Sequence, residues 1–447
     1  MSARPLPEPV RSGLDLTLAR RQAEWRSTGV AATVVRRGEP LWSGAVGTSD
    51  ADDPAALPTT DTQFRIGSIT KTFTAVLVMQ CREEGLLDLD DPLGRHLPGR
   101  RHADLTVRRM LAHLSGLQRE PVGDIWEQPE GPSVDALLAG LEDAEAVLPP
   151  ARRHHYSNLA YALLGEVVSR IRREPWETVL HERVLLPLGM TRTTPRRQPP
   201  YALGYLTDPY ADRVHVEPEF PGNAFAPAAE LWSTTADLGR WAAFLADPAE
   251  RVLHPDTVEE MCHPQVMADL DGWTLGWGLG LMLHRRGDRV LVGHDGAMPG
   301  FLAGLAVRRA ERVGAAVLAN TSAGADPGGL AVDLVLAVLD GDPQPPEPWR
   351  PGPPVPPYVE ELLGVWWSEG TQYEFTARAG RLHAAAVGAA RSRPPSVFAE
   401  EEPDLLRVVS GREQGELLRV VRREDGTVDR LYWATYPVTR DPRPFGA

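Results

Sequence analysis

The run DPQPPEPWRPGPPVPP, from Asp342 to Pro357, constrains this chain more than any other stretch. Proline lacks a backbone N–H and holds φ near −65°, so a segment this dense in it sustains neither helix nor sheet and forms a semi-rigid extended spacer. A boundary is therefore expected here, with one domain over residues 1–341, a linker over 342–357 and a second domain over 358–447. The length, 447 residues, exceeds the usual single-domain size and leaves material for two cores.

The first region opens with VAATVVRRGEPLWSGAVGTSD (Val30 to Asp50), which alternates around Arg37-Gly38 as an antiparallel hairpin does. The run Thr72 to Glu84 is apolar at 73, 76 and 77 and stops at Gly85, which predicts a buried helix whose first turn holds Ser68. Further helices are expected over Val107 to Leu114, Leu159 to Arg172 and around Leu330 to Leu339. The segments DRVLVGHDGAMPGFLAGLAVRR and VGAAVLANT return to strand composition. Strands at both ends with helices between them predict an α/β domain whose one sheet is completed by distant segments around a helical insertion. After the spacer, TQYEFTA, LLRVV, ELLRVVRR and VDRLYWATY predict a small antiparallel barrel or sandwich.

Charge and cysteine usage exclude several classes. Net charge is −14 and the arginines lie scattered among acids, which argues against nucleic acid and anionic membranes as partners. The opening MSARPLPEPVRSGLDLTLARRQ has no apolar core of signal-peptide length, and no stretch approaches 18 uncharged apolar residues, so a soluble cytoplasmic protein is expected. Cys81 and Cys262 are too few for a disulfide framework or a cysteine metal site and are expected to be buried apolar fillers. His154 and His155 are adjacent and not spaced as ligands, so neither metal nor cofactor is expected.

Among the 47 lysines and arginines only position 71, in GSITKTF, is lysine. A guanidinium keeps its proton at any workable pH, whereas an amine can give its proton up, so Lys71 is expected to act as a base. Ser68 stands three residues earlier, a spacing that puts both side chains on one helix face. At a helix N-terminus the backbone N–H groups favour a developing alkoxide and lower an ammonium pKa. The bland alternative is a serine that caps the helix and a lysine on its surface.

Three further segments, LTVRRMLAHLSGL, HYSNLAYALLGEVV and VGHDGAMPGF, carry a resemblance. The region from about Arg11 to Leu339 resembles the serine β-lactamase and penicillin-binding-protein superfamily, nearest its class C, esterase and D-aminopeptidase branch. The S-x-x-K, Y-x-N and K/H-x-G motifs are matched in order by Ser68/Lys71, Tyr156/Asn158 and His294/Gly296. The resemblance implies an antiparallel sheet flanked by helices, followed by a lipocalin-like barrel.

The resemblance also implies roles. Ser68 would be the acyl-enzyme nucleophile, Lys71 a base, and Tyr156 the group that passes its proton to the leaving group, its pKa lowered by the lysine. Asn158 would donate to a substrate amide and accept from Lys71. The N–H groups of Ser68 and Ala297 would form the oxyanion hole, and Gly296 would let substrate backbone approach, with Asp295 beside it in the substrate-binding motif. Glu230, in a run where relatives carry small glycines, is expected to wall the pocket and shape substrate choice. His113 is read as structural.

The implied function is a serine hydrolase or acyltransferase. His294, where relatives carry lysine, is neutral for much of the time near pH 7 and disfavours recognition of a β-lactam carboxylate. The favoured reading is a penicillin-binding-protein-type thioesterase, a cyclase that releases a nonribosomal peptidyl thioester with a D-configured C-terminal residue from a peptidyl carrier protein. His294 and the second domain would help exclude water. The alternatives are a cytosolic esterase, a D-aminopeptidase or D-peptidase, and a binding module that has lost turnover.

Overall fold

Arg37 and Gly38 both adopt positive φ, 52° and 81°. That is the two-residue turn whose twist matches paired strands, and it joins β1 (Gly29–Arg36) to β2 (Glu39–Gly47). The computed structural model describes residues 5–345, 348–388 and 394–444. Pro346 and Glu347 of the expected linker, and residues 389–393 and 445–447 of the expected second domain, lie outside the described residues. The chain divides into two compact units, residues 1–344 and 345–447.

Six strands complete the first unit's main sheet: β3 (Val266–Met267), β4 (Leu275–Trp277), β5 (Met282–Arg286), β6 (Arg289–Met298), β7 (Phe301–Arg308) and β8 (Val313–Ala319). The order is β2-β1-β8-β7-β6-β5-β4-β3, antiparallel throughout. The sheet is thus completed by segments from both ends of the unit, β1 pairing with β8 from Val30↔Ala319 to Arg36↔Val313.

Alternation along the strands feeds two separate cores. Val30, Ala32 and Val34 pack with α1 (Glu8–Trp25) and, at Leu330 to Leu339, with a helix over Pro327–Gly341. Ala31, Ala316 and Leu318 face the larger core, which holds α2 (Thr70–Glu83), α3 (Asn158–Arg172) and α4 (Thr235–Ala246). Pro327–Gly341 is α5. The result is helices on both faces of an antiparallel sheet, with the helical insertion lying between β2 and β3.

Local chemistry explains the helix ends. The Ser157 hydroxyl caps α3 by accepting from Ala160 N–H at 3.1 Å, and Thr234 caps α4 by accepting from Asp237 N–H at 3.1 Å. The helix expected over Val107 to Leu114 spans only Val107–Leu111, because His113 turns left-handed at φ 54°. Cys81 is buried as a filler would be, whereas Cys262 is half-buried, its sulfur accepting from Arg309 Nη1 at 3.2 Å.

In the second unit, eight strands run as a meander: β9 (Gly364–Ser368), β10 (Thr371–Arg378), β11 (Arg381–Ala386), β12 (Ser396–Glu402), β13 (Leu405–Ser410), β14 (Leu417–Arg422), β15 (Val428–Trp433) and β16 (Tyr436–Val438). Trp367 and Thr439 exchange backbone hydrogen bonds of 2.7 and 2.9 Å between its two ends, so the barrel is nearly closed. Trp366, Phe375, Phe398 and Trp433 fill its interior. Among the described residues no helix is long and apolar enough to cross a membrane.

One close approach ties this scaffold to the site. A Cβ at Gly165 of α3 would lie 2.1 Å from Pro227 Cγ. Pro227 and Ala228 belong to a short helix, Ala226–Ala229, whose carbonyls accept from Thr74 and Lys71 of α2, each at 2.7 Å. Gly165→Ala is therefore expected to lower stability by about 1–3 kcal/mol, as overpacking does. Urea denaturation of the two proteins measures it.

Candidate active site

Ser68 lies in a single 3-10 turn, Gly67–Ile69, immediately before α2. Gly67 adopts φ 49°, and a Cβ there would sit 2.5 Å from Ala297 N, so only glycine lets the serine segment rest against β6. Gly296 serves the same contact. Its Cβ would meet Ile66 O at 2.0 Å, so the close approach of the chain's own backbone already requires glycine here. Ala297 is the exposed residue beside it on the strand, next to the turn that carries Ser68.

Lys71, in the first turn of α2, is fully buried. Its Nζ lies 2.9 Å from Ser68 Oγ and 2.7 Å from the Ala228 carbonyl, and 4.9 Å from the centre of the Tyr156 ring. Burial drives its pKa well below the ordinary lysine value; Glu120 opposes that shift and Arg119 adds to it. Nζ donates to both oxygens, and an amine in its neutral form can in addition offer a lone pair to a hydroxyl.

Tyr156 was expected to have its pKa lowered by the lysine, and the structure reverses this. Burial raises the phenol, with the hydrogen bond to Ser68 and the charge of Arg119 lowering it only in part. The Tyr156 ring stacks on His113 at 4.2 Å, and the Arg119 guanidinium stands 4.9 Å from its centre.

Asn158 opens α3, yet it does not accept from Lys71; the Ala228 carbonyl occupies that place. Its Nδ2 donates instead to Glu120 Oε1 at 2.7 Å. His294, on β6, is buried, and its Nδ1–H donates to the Asp295 carbonyl at 2.6 Å, which leaves Nε2 unprotonated. Burial and Lys71 lower its pKa to about 3.

Two expected site residues point elsewhere. Asp295 alternates to the opposite face of β6, where a Cβ on Gly328 of α5 would meet its Oδ1 at 2.0 Å; burial raises its pKa to about 6. Its side chain belongs to the sheet–helix junction and not to the Ser68 side. Glu230 Oε2 accepts from Gly222 N–H at 2.7 Å and from Arg65 Nη2 at 3.2 Å, and burial raises its pKa to about 7. It lines a cavity of about 260 Å³ with Arg65, Arg197, Phe220 and Trp232 and makes no hydrogen bond to Ser68, Lys71 or Tyr156.

Sequence reasoning missed Glu120 and Trp277 and underread His113. Trp277 of β4 packs edge-on to His113 at 4.7 Å and to His294 at 5.2 Å, and flat on His154 at 5.2 Å. His113 Nδ1 accepts from Ser157 N–H at 3.0 Å, so this ring both fixes the start of α3 and backs Tyr156. A histidine and an acid flanking the LSGL segment were the available signal.

This fold and this cluster define a serine hydrolase of the β-lactamase and penicillin-binding-protein type. Residues 14–340 match the Beta-lactamase family, and the chain belongs to it. Residues 355–440 match a domain of unknown function, DUF7586. Penicillin-binding protein 4 of Amycolatopsis lactamdurans is 31% identical over 345 residues, 70% of this chain and 86% of that protein. Among solved structures, SurE is 27% identical with a TM-score of 0.60, covering 97% of this chain and 99% of its own. The D-amino acid amidase of Ochrobactrum anthropi SV3, complexed with L-phenylalanine, is 25% identical with a TM-score of 0.65, covering 75% of this chain and 99% of its own.

Arginine cannot take the neutral form, so Lys71→Arg is expected to slow labelling of Ser68 by a fluorophosphonate by about 10²–10⁴-fold. In the wild type, labelling is fast above the folded-state lysine pKa and is lost as pH falls through it, at a pH well below 10.5. His294, at about 3, does not set that limb, so His294→Asn leaves its position unchanged. Intact mass spectrometry across a pH series reads both outcomes.

Proposed function

We propose that this protein is a serine acyl-enzyme acyltransferase that releases and macrocyclises a peptidyl thioester with a D-configured C-terminal residue. The observation that carries the acyl-enzyme step is the 2.9 Å contact between Ser68 Oγ and the buried Lys71 amine, whose pKa burial drives well below the ordinary lysine value. Ser68 Oγ forms the bond to the thioester carbonyl carbon while its proton passes to Lys71 Nζ. The C–S bond breaks, Tyr156 gives its proton to the sulfur, and the Lys71 ammonium restores it. The peptide's own amine then attacks the ester, the C–O bond breaks, and the proton lost by the amine returns through Lys71 to Ser68 Oγ.

The N–H groups of Ser68 and Ala297 serve as the oxyanion donors in this reading, brought together by the close packing at Gly67. His294 keeps a polar but uncharged wall beside Tyr156, which suits a neutral peptide better than an anionic drug. The thioester donor is carried by a peptidyl carrier protein. Support for the cyclase comes from SurE, whose likeness runs through both units of the chain and which has also been solved with D-Leu.

A second reading, a D-amino-acid amidase or D-peptidase, is favoured by the likeness to the Ochrobactrum amidase and to a D-stereospecific amidohydrolase from Streptomyces, 25% identical over 73% of this chain. Those likenesses do not extend over the whole chain. Linear peptidyl thioesters ending in D- or L-residues separate the readings by mass spectrometry of the products. Cyclic peptide from the D-series is the expected outcome. Linear acid alone moves the assignment to the second reading, and thioesters that leave Ser68 unmodified and unreacted overturn both.

A further inference from the structure

Glu120 is held on three sides. Its Oε1 accepts from Asn158 Nδ2 at 2.7 Å and stands 3.5 Å from Arg119 Nε, and its backbone carbonyl accepts from Gln118 Nε2 at 2.9 Å. The preceding carbonyl, of Arg119, accepts the N–H groups of Asn158 and Leu159 at 2.7 and 3.2 Å. The carboxylate therefore cannot drift from the start of α3, where Tyr156 and Asn158 project.

What this arrangement leaves over is specific. Glu120 Oε2 and Asn158 Oδ1 are both buried, and neither has a hydrogen-bond partner among the described residues. The Asn158 orientation is fixed by its neighbour, because only the NH₂ end can face a carboxylate oxygen at 2.7 Å. Two buried acceptors, one of them on an anion, are costly to leave unpaired, and neither can donate to the other. The group that completes them is a donor without acceptor character and with more than one N–H. A primary ammonium meets all three conditions. Asn158, which Glu120 holds, is two residues from Tyr156, and the guanidinium of the adjoining Arg119 stands 4.9 Å from the Tyr156 ring, so the carboxylate lies on the Tyr156 side of the cluster.

We propose that Glu120 Oε2 and Asn158 Oδ1 bind a primary ammonium of the substrate next to Ser68. This rests on the acyl-enzyme reading above and adds the chemical class of the group recognised. The ammonium has two sources. It is either the α-amine of an aminoacyl donor or the amine that arrives to resolve the acyl-enzyme.

The test uses the full chain with D-phenylalanine thiobenzyl ester, its N-acetyl counterpart, and D-phenylalaninamide as the added amine. Thiol release gives kcat/KM for each donor, and the ratio of amide to acid product from the N-acetyl donor gives the preference for amine over water. If the donor's amine is bound, the free-amine ester is favoured by about 10–100-fold, the range of a charge-assisted hydrogen bond, and Glu120→Gln abolishes the preference. If the acceptor's amine is bound, aminolysis dominates and Glu120→Gln shifts the products to acid. Glu120→Asp, which keeps the charge on a shorter stem, retains part of either effect. A wild type indifferent to amines in both arms, or a Glu120→Gln protein that keeps its preference, overturns the proposal. Fluorophosphonate labelling of Ser68 is measured on the same samples. Labelled protein that ignores amines sinks this inference alone, whereas protein that neither labels nor releases thiol sinks the acyl-enzyme reading beneath it.

Discussion

Taking an ammonium out of water costs several kcal/mol unless it is paired, and Lys71 sits at zero exposure with no carboxylate among its hydrogen-bond partners in the described residues. Among the described residues its hydrogen-bond partners are a hydroxyl and a carbonyl, and the neutral form of an amine can satisfy both. The architecture around position 71 follows from keeping it dry. The helix that carries it is buried along its length from Thr70 to Cys81, the Ala226–Ala229 turn closes over its tip, and the aromatic rings of Tyr156 and Tyr161 cover its flank. The same desolvation acts with opposite sign on the phenol, so one environment lowers the pKa of the amine and raises that of Tyr156.

Glycines make that enclosure possible. Gly67 and Gly296 let the serine turn touch β6, and Gly165 lets α3 touch the segment whose carbonyls reach α2. In each case a missing Cβ is filled by another part of the chain. Rigid elements therefore hold the reacting groups: a helix start, a strand and a second helix start, each fixed by packing or by a side-chain cap.

Much of this was legible in the sequence because it depended on short spacings. The Arg37-Gly38 turn, the helix ending before Gly85 and the Ser68/Lys71 pair each follow from neighbours within four residues. The Pro-rich run and the barrel strands were readable for the same reason. What escaped was set by distant contacts. Glu120 acquires its place through Asn158, 38 positions away, and Trp277 through rings on three other segments. Glu230 is read from sequence as a residue that shapes substrate choice, but its orientation is decided by Arg65, 165 positions earlier. Asp295 sits within the third motif, and strand alternation turned it to the far face. The state of Tyr156 was misjudged because desolvation, which sequence does not display, outweighed the charge argument.

The strand order also governs how the chain is born. Gly29 N–H reaches its partner, the Asn320 side chain, only 291 positions later, and β1 is buried along all eight of its residues. At ribosomal speeds of about 5–20 residues per second, that hairpin waits on the order of 15–60 s with its inner edge open before β8 emerges. During that interval the segment is a ready template for another nascent chain, so a strand that ends up one in from the edge of the finished sheet is exposed as a liability throughout synthesis.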